Sequence, residues 1–479
     1  MNAHDPIQNP LLEAFAPFVS VSKMPAKLFH DPLAHVPWRS MPPELREPYL
    51  ELLKEHFFPT GAAVDIAVRM HAAILGGLSR RNPLDPAEQI RINQLALLRT
   101  EDARDVLPAL SNPATGGVIA AITGMGKSCL VERTLRAIAT QQVIVHARSE
   151  ACGWSKLMQV SYLKLDFPSN GTRGGLVQRI LSQLDRILGT TYAERNGRMR
   201  NLDASLVAVM KVLSVHRVGM LVLDEMQQSN FACSPWHQEV VLFLLSLLNL
   251  GIPTMICGQP GAFIGIKQER QTLRRFSEIG NFTLEPASPT NQEWWVTQLV
   301  PGIMRFNLCE AVDRPEEITQ MSRDVAAGVP GFFACVWKEA QRLALRRAGR
   351  TTTLTPEDFI KASKCQAIVE LMQEAARMDA EGTGDYADAG AMAEAKRPPR
   401  VRRKPSKGTI DVPAGRKRVV HKLRAADLRR QKQVARHAKR TAELEKSLPP
   451  DDVRISNLSM ELLDGLDELQ RDVPKPNRE

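Results

Sequence analysis

The stretch that most constrains the fold is residues 118–128, Val-Ile-Ala-Ala-Ile-Thr-Gly-Met-Gly-Lys-Ser. An apolar run enters a short glycine-bearing loop ending in Lys-Ser, and Val131, Leu135 and Ile138 follow at helical spacing. Strand, loop and helix in that order make a phosphate cradle, because the loop N–H groups and the positive end of the helix dipole face one point. Thr123, Gly124, Met125, Gly126, Lys127, Ser128 and Cys129 are the candidate nucleotide-binding residues. Lys127 would reach the β- and γ-phosphates, and the Ser128 hydroxyl would ligate Mg²⁺. The usual pattern is G-x-x-x-x-G-K-[ST], and Ala121 stands at its first glycine. Alanine lacks glycine's freedom at positive φ, so binding survives here provided that φ is ordinary. The competing reading is a chance glycine-rich turn.

Residues 218–225, Val-Gly-Met-Leu-Val-Leu-Asp-Glu, form a near-continuous apolar run closed by two carboxylates. Such a run suits a parallel strand buried on both faces, which would set Asp224 and Glu225 at the C-terminal rim of a sheet. In P-loop ATPases the first carboxylate holds the Mg²⁺ shell and the second activates the attacking water. Asp224 is therefore a candidate metal residue beside Ser128, and Glu225 the candidate catalytic base. Alone, the same run reads equally as a strand followed by a solvated acidic turn.

A chain of 479 residues predicts two or three domains. No apolar run approaches the roughly 20 residues that span a bilayer; the longest, 240–250, fits a buried helix. The N-terminus lacks a basic-then-apolar signal, and the seven cysteines show no paired spacing. Both features fit a reducing cytoplasm, in a bacterial cell by the family resemblance given below. Charge is localised: residues 396–440 hold 18 Lys or Arg against Asp411 and Asp427, a net of +16 in a chain of net +10. A basic segment on a mildly acidic body points to a polyanion, most simply nucleic acid, or else to a solubilising tail.

Along the chain we expect a Pro- and aromatic-rich partner-docking arm over 1–58, with Phe15, Trp38, Phe57 and Phe58 among its aromatics, and a helical segment over 59–110 broken at Asn82-Pro83. An α/β nucleotide-binding core over 111–290 follows, with strands predicted at 117–122, 143–146, 160–166, 218–223, 254–257 and 281–285. Strands alternating with helical stripes imply a parallel sheet between two helical layers. Residues 291–377 read as an all-helical lid, in which Thr355-Pro356 starts a helix as N-cap and first residue. A basic linker and tail over 378–446 leads to an acidic segment, 447–479, whose Leu458, Leu462, Leu466 and Leu469 share a helical face, either for a partner or for the body.

The order of P-loop, Asp-Glu strand, following strand and helical lid is that of the AAA+ ATPases. Further segments are more specific: Gln-Val-Ile-Val-His at 142–146, Tyr-Leu-Lys-Leu-Asp at 162–166, Leu-Asp-Arg-Ile-Leu-Gly-Thr-Thr-Tyr at 184–192, Leu-Val-Leu-Asp-Glu-Met-Gln at 221–227, Gly-Ile-Pro-Thr-Met-Ile-Cys-Gly-Gln-Pro at 251–260 and Pro-Thr-Asn-Gln-Glu-Trp at 289–294. Together they resemble the TnsC/TniB class, ATP-dependent regulators of heteromeric cut-and-paste transposons, over about residues 60–370. The resemblance implies an ATPase using ATP and Mg²⁺. It also implies a homo-oligomer, ring or filament with a hexamer or heptamer as the unit, on double-stranded DNA, linking a target-selection protein of TniQ/TnsD type to transposase and endonuclease subunits. It places Gln259 where the family carries a small polar sensor residue. It also makes Arg270, Arg274 and Arg275 candidates for an arginine finger acting on a neighbouring subunit; a solvated basic helix is the plainer alternative. No basic residue in 328–335 suggests a second sensor arginine. Two other functions fit the motifs: another AAA+ DNA ATPase, such as a helicase loader or replication initiator, or an adaptor that binds ATP without turnover. No winged helix is legible after the lid, which disfavours the loader or initiator, and the intact Asp224-Glu225 pair disfavours the adaptor.

Overall fold

The computed structural model describes residues 9–98, 112–139, 141–197, 202–264, 270–347 and 352–383. The expectations for the basic run at 396–440 and the acidic segment at 447–479 lie outside them. In chain order the principal elements begin with α1 (Gly61–Ser79), α2 (Pro86–Leu97), β1 (Gly116–Ala121), α3 (Lys127–Ile138), β2 (Val143–His146), β3 (Leu157–Val160) and β4 (Leu163–Asp166). Next come α4 (Arg173–Leu188), α5 (Leu202–Val215), β5 (Leu221–Met226), α6 (His237–Asn249), β6 (Thr254–Gly258), α7 (Arg270–Phe276) and β7 (Gly280–Leu284). The last part holds β8 (Ala311–Val312), α8 (Pro315–Val325), α9 (Pro330–Arg346), β9 (Thr353–Leu354), α10 (Pro356–Ser363) and α11 (Gln366–Thr383).

Five strands form one parallel sheet in the order β4-β5-β6-β1-β7. Their side chains alternate between two dry faces. Val118, Leu163, Leu165, Leu221, Leu223 and Ile256 meet the apolar stripes of α4, α5 and α6, among them Leu176, Ile180, Leu184 and Leu213. Ile119, Met220, Val222, Met255 and Cys257 meet α1 and α3. Both faces are covered because the crossover helices of a parallel sheet lie against it.

Three sequence expectations need correction. The strand expected over 160–166 is two strands, separated where Ser161 N–H turns to the Gln142 carbonyl at 2.9 Å. β2 does not join the parallel sheet; it pairs antiparallel with β3 as a separate hairpin. The lid is not all helical, since β8 and β9 pair in parallel within it. The helical segment expected over 59–110 is α1 and α2, but the reading of apolar runs passed over α1's length: at 19 residues it is long and apolar enough to cross a membrane. Ala63, Ile66, Ala67, Met70, Ile74 and Leu78 bury its stripe in the core instead. The capping of α10 follows the sequence: Thr355 Oγ1 accepts from Asp358 N–H, Asp358 accepts back from Thr355 N–H, and Pro356 opens the helix.

A third apolar cluster joins α8, α9 and α10 around Trp295, Phe333, Trp337 and Phe359, and it takes in Met125 from the loop after β1. Residues 9–58 bind the parts together. Asn9 Nδ2 donates to the Leu78 carbonyl at 3.0 Å and Arg133 Nε to the Leu28 carbonyl at 2.8 Å. Glu47 receives Arg346 at 2.6 Å and Arg342 at 3.2 Å from α9.

Candidate nucleotide site

β1 ends at Ala121, which is fully buried, pairs with Leu284 and lies outside the positive-φ region. The alanine in place of the first glycine is therefore accommodated by ordinary strand backbone. The two glycines that follow do need their freedom: Gly124 has φ +87° and Gly126, the N-cap of α3, φ +80°. This turn sets Lys127 and Ser128 in the first turn of α3, where free N–H groups and the dipole favour an anion. Lys127 Nζ donates to the carbonyls of Ala121 at 2.7 Å and Ile122 at 3.1 Å. Thr123 is exposed at the loop's tip, while Met125 is buried toward the lid.

Two strands over, β5 brings its carboxylates to the same rim. Asp224 is 1% exposed; its Oδ1 accepts the Glu225 N–H at 2.9 Å and its Oδ2 lies 3.4 Å from Lys164 Nζ of β4. Between Leu223 and Met226 the register with β6 slips, and Glu225 sits at φ +57°. That is a bulge with a non-glycine residue in the left-handed region, a costly conformation of the kind stored at functional sites. Its effect is to leave Asp224 buried while Glu225 faces solvent. The surroundings hold the bulge in place. Asn230 Nδ2 donates to the Glu225 carbonyl at 3.1 Å, Asn230 Oδ1 accepts the Gln227 N–H at 2.8 Å, and Gln259 N–H donates to the Met226 carbonyl at 2.9 Å. Gly258 leaves room for it, since a Cβ there would lie 2.0 Å from the Met226 carbonyl oxygen.

Lys127, Ser128, Asp224, Glu225 and Gln259 thus gather on the C-terminal rim of the sheet. The arginines do not. Arg275 donates to Asn249 Oδ1 at the end of α6, and its carbonyl lies 3.0 Å from where a Cβ on Gly116 would be. That is the start of β1, and the phosphate loop follows the strand's other end, roughly 17 Å away at about 3.3 Å per residue. Arg274 is exposed, and of Arg270 only the backbone is described, at the start of α7.

Beside the loop lies a cavity of about 540 Å³, mostly apolar, lined by Gly124, Gly126, Cys129 and Leu130, by Leu284 at the end of β1's neighbour β7, and by Pro330, Gly331 and Ala334 of α9. Gly331 N–H donates to the Gly124 carbonyl at 2.9 Å, so the lid helix begins directly on the phosphate loop. Leu53, His56, Phe57 and Phe58 form another part of the wall. Sequence reasoning did not place them in the site; the aromatic pair Phe57-Phe58 was the available signal. His56 bonds the Gly302 carbonyl at 2.9 Å, and burial pushes its pKa down, so the ring is neutral at pH 7. Size and lining suit a nucleobase and ribose.

Residues 112–263 match the AAA domain family. No curated protein matches the chain. Among solved structures, the Orc1 protein of Aeropyrum pernix in complex with DNA is similar at 14% identity, over 82% of this chain and 87% of that one, with a TM-score of 0.37. Cdc6p of Pyrobaculum aerophilum gives 14% identity over 59% and 70% with a TM-score of 0.38, and the Walker-type ATPase Paby2304 of Pyrococcus abyssi 15% over 63% and 75% with 0.34. Such distant likenesses say nothing of what this chain acts on. The strand order, the phosphate loop and the match over residues 112–263 together identify an AAA domain with the AAA+ P-loop fold: a parallel sheet between helices, followed by a largely helical lid.

Proposed function

We propose that this chain is an ATPase that assembles on double-stranded DNA and regulates transposition in the manner of the TnsC/TniB class. The observation that carries the ATPase reading is the convergence, on one rim, of the phosphate loop, a buried Asp224 and a bulge that turns Glu225 to solvent. Lys127 and the loop N–H groups hold the triphosphate; Ser128 and Asp224 hold Mg²⁺, which when bound screens the charge of the phosphates. Glu225 orients and deprotonates the attacking water, and Gln259, following β6 on the same rim, faces it as a sensor. Arg274 and Arg275, at the far rim of their own subunit, act on a neighbour's nucleotide, so the active form is a homo-oligomer. The net +16 of residues 396–440 supplies sequence-independent affinity for the DNA backbone. The link to transposase, endonuclease and target selector rests on the resemblance of the segments between 142 and 294.

Radiolabelled-ATP binding and phosphate release test the chemistry. Lys127→Ala should abolish binding; Glu225→Gln should keep it and lose hydrolysis, because only the water-activating carboxylate changes. Wild-type protein that binds no ATP would falsify the assignment. Negative-stain images with ATP and duplex DNA test assembly, and monomers alone sink it. Truncation after residue 395 should weaken DNA binding uniformly across sequences and flatten its salt dependence, with basal hydrolysis intact. A transposition assay in cells lacking the protein separates the regulator from a replication initiator, which would leave transposition untouched.

A further inference from the structure

We propose that Lys164 is the resident counter-ion of Asp224, and that a divalent cation with its nucleotide enters the site by displacing the Lys164 ammonium. This rests on the reading of the rim as a magnesium–nucleotide site and adds a residue that no motif names.

The register of the sheet makes the pair. β4 and β5 run parallel with Lys164 opposite Val222 and Asp166 opposite Asp224. Alternation puts Leu163 and Leu165 into the core under α4 and Lys164 on the other face, which Val222 and Asp224 share. Lys164 is then one diagonal step from Asp224, a gap a four-carbon stem spans. Its Nζ lies 3.4 Å from Asp224 Oδ2.

The surroundings favour a cation at that carboxylate. The Asp224 side chain is 1% exposed. On the neighbouring strand Cys257 is fully buried, and its thiol is pushed well up by burial and then by the charge of Asp224. A bare carboxylate in so dry a place is costly, and a positive charge beside it offsets that cost. Lys164 meets that need and can also leave. Its side chain is 24% exposed, unlike the carboxylate it pairs with. It borders an open groove of about 450 Å³ that also holds Asp166 and, from α4, Arg179 and Arg186. Asp166 lies two residues on, hence on the same face, and is exposed, so the displaced ammonium has a second carboxylate within reach, shared with Arg179 and Arg186 of the same groove. Metal and ammonium therefore compete for Asp224, which makes the charge on residue 164 set how strongly nucleotide binding depends on magnesium.

The test measures the dissociation constant of a fluorescent ATP analogue in excess EDTA and in excess Mg²⁺, for wild type, Lys164→Ala and Lys164→Arg; Lys164→Gln replaces alanine if that variant does not fold. Without the lysine, Asp224 repels the metal-free triphosphate and attracts the metal complex. The ratio of the two constants should rise about tenfold in Lys164→Ala, given the size of one unit charge at this distance. Lys164→Arg should keep the wild-type ratio. If the alanine variant weakens both affinities alike and leaves the ratio unchanged, Lys164 is structural and the proposal is overturned; it is equally overturned if arginine raises the ratio as alanine does. Wild-type protein that binds nucleotide in neither condition overturns the magnesium–nucleotide reading of the rim, and this inference with it.

Discussion

The two rims of the parallel sheet bury the same chemistry in opposite ways. Each holds a carboxylate out of water and a non-glycine residue in left-handed backbone. At the C-terminal rim these are Asp224 and Glu225, at φ +57°; at the N-terminal rim they are Glu88 of α2 and Arg217 before β5, at φ +48°. Glu88 is saturated. Arg91 grips it with two hydrogen bonds of 2.6 and 2.8 Å, and Arg217 donates to Oε1 beside the second of these, all three residues nearly dry. Arg81, buried alongside, bonds the Gly77 carbonyl through Nε, while its Nη atoms have no hydrogen-bond partner among the described residues. Burial and the nearby Arg217 push its pKa down to about 9, which leaves it charged at neutral pH. Asp224, by contrast, meets the partly exposed Lys164 and a backbone N–H among the described residues. One rim locks its charges; the other holds them in exchangeable contacts. The difference separates a structural ion cluster from a site that must admit a charged ligand.

The largest effect should come from breaking the locked rim. Glu88→Gln takes the counter-charge from two buried guanidiniums, Arg91 and Arg217, and should cost about 3–5 kcal/mol of stability, read from urea unfolding, while the folded fraction keeps its nucleotide affinity. A cost below about 1 kcal/mol would erase the contrast. Gly258→Ala comes next: its methyl would meet the Met226 carbonyl oxygen at 2.0 Å. It should cost about 1–3 kcal/mol and, by displacing the bulge, abolish phosphate release; release at the wild-type rate would show that the bulge does not aim Glu225. The smallest and most telling pair is glycine at each left-handed position. Glu225→Gly should raise stability by up to about 1 kcal/mol while hydrolysis is lost, because strain is relieved and the side chain that goes is exposed. Arg217→Gly relieves similar strain yet should destabilise, since the guanidinium holds Glu88. Thermal melts of the two variants moving in the same direction would contradict the division of labour between the rims.

Much of this arrangement was legible in advance, for reasons that differ by element. The phosphate loop was readable because its chemistry is local: strand, two glycines, Lys and Ser act within one turn. The strand ending in Asp224-Glu225 was readable because burial on both faces writes an unbroken apolar run. The helix start at Thr355-Pro356 was readable because capping is a contact over three residues. What was misread depended on distant partners. The run at 160–166 looked like one strand because nothing in it announces that Ser161 answers to Gln142. The segment 143–146 has strand composition, and composition does not say which strand it pairs with.

Local backbone preference and apolar periodicity, then, were enough to read the α/β core, four of its five sheet strands and the phosphate-loop and Asp-Glu segments that end at its rim. They are short-range terms, and each acts on residues that are neighbours in sequence. The tertiary structure alone decided the rest. It joined Lys164 to Asp224 across a register, raised Glu225 on a bulge that Gly258 and Asn230 permit, walled the cavity with residues 53–58, and placed Arg275 far from its own phosphate loop. These contacts arise from strand registry and close packing between residues tens to hundreds of positions apart, and no periodicity in the chain encodes them.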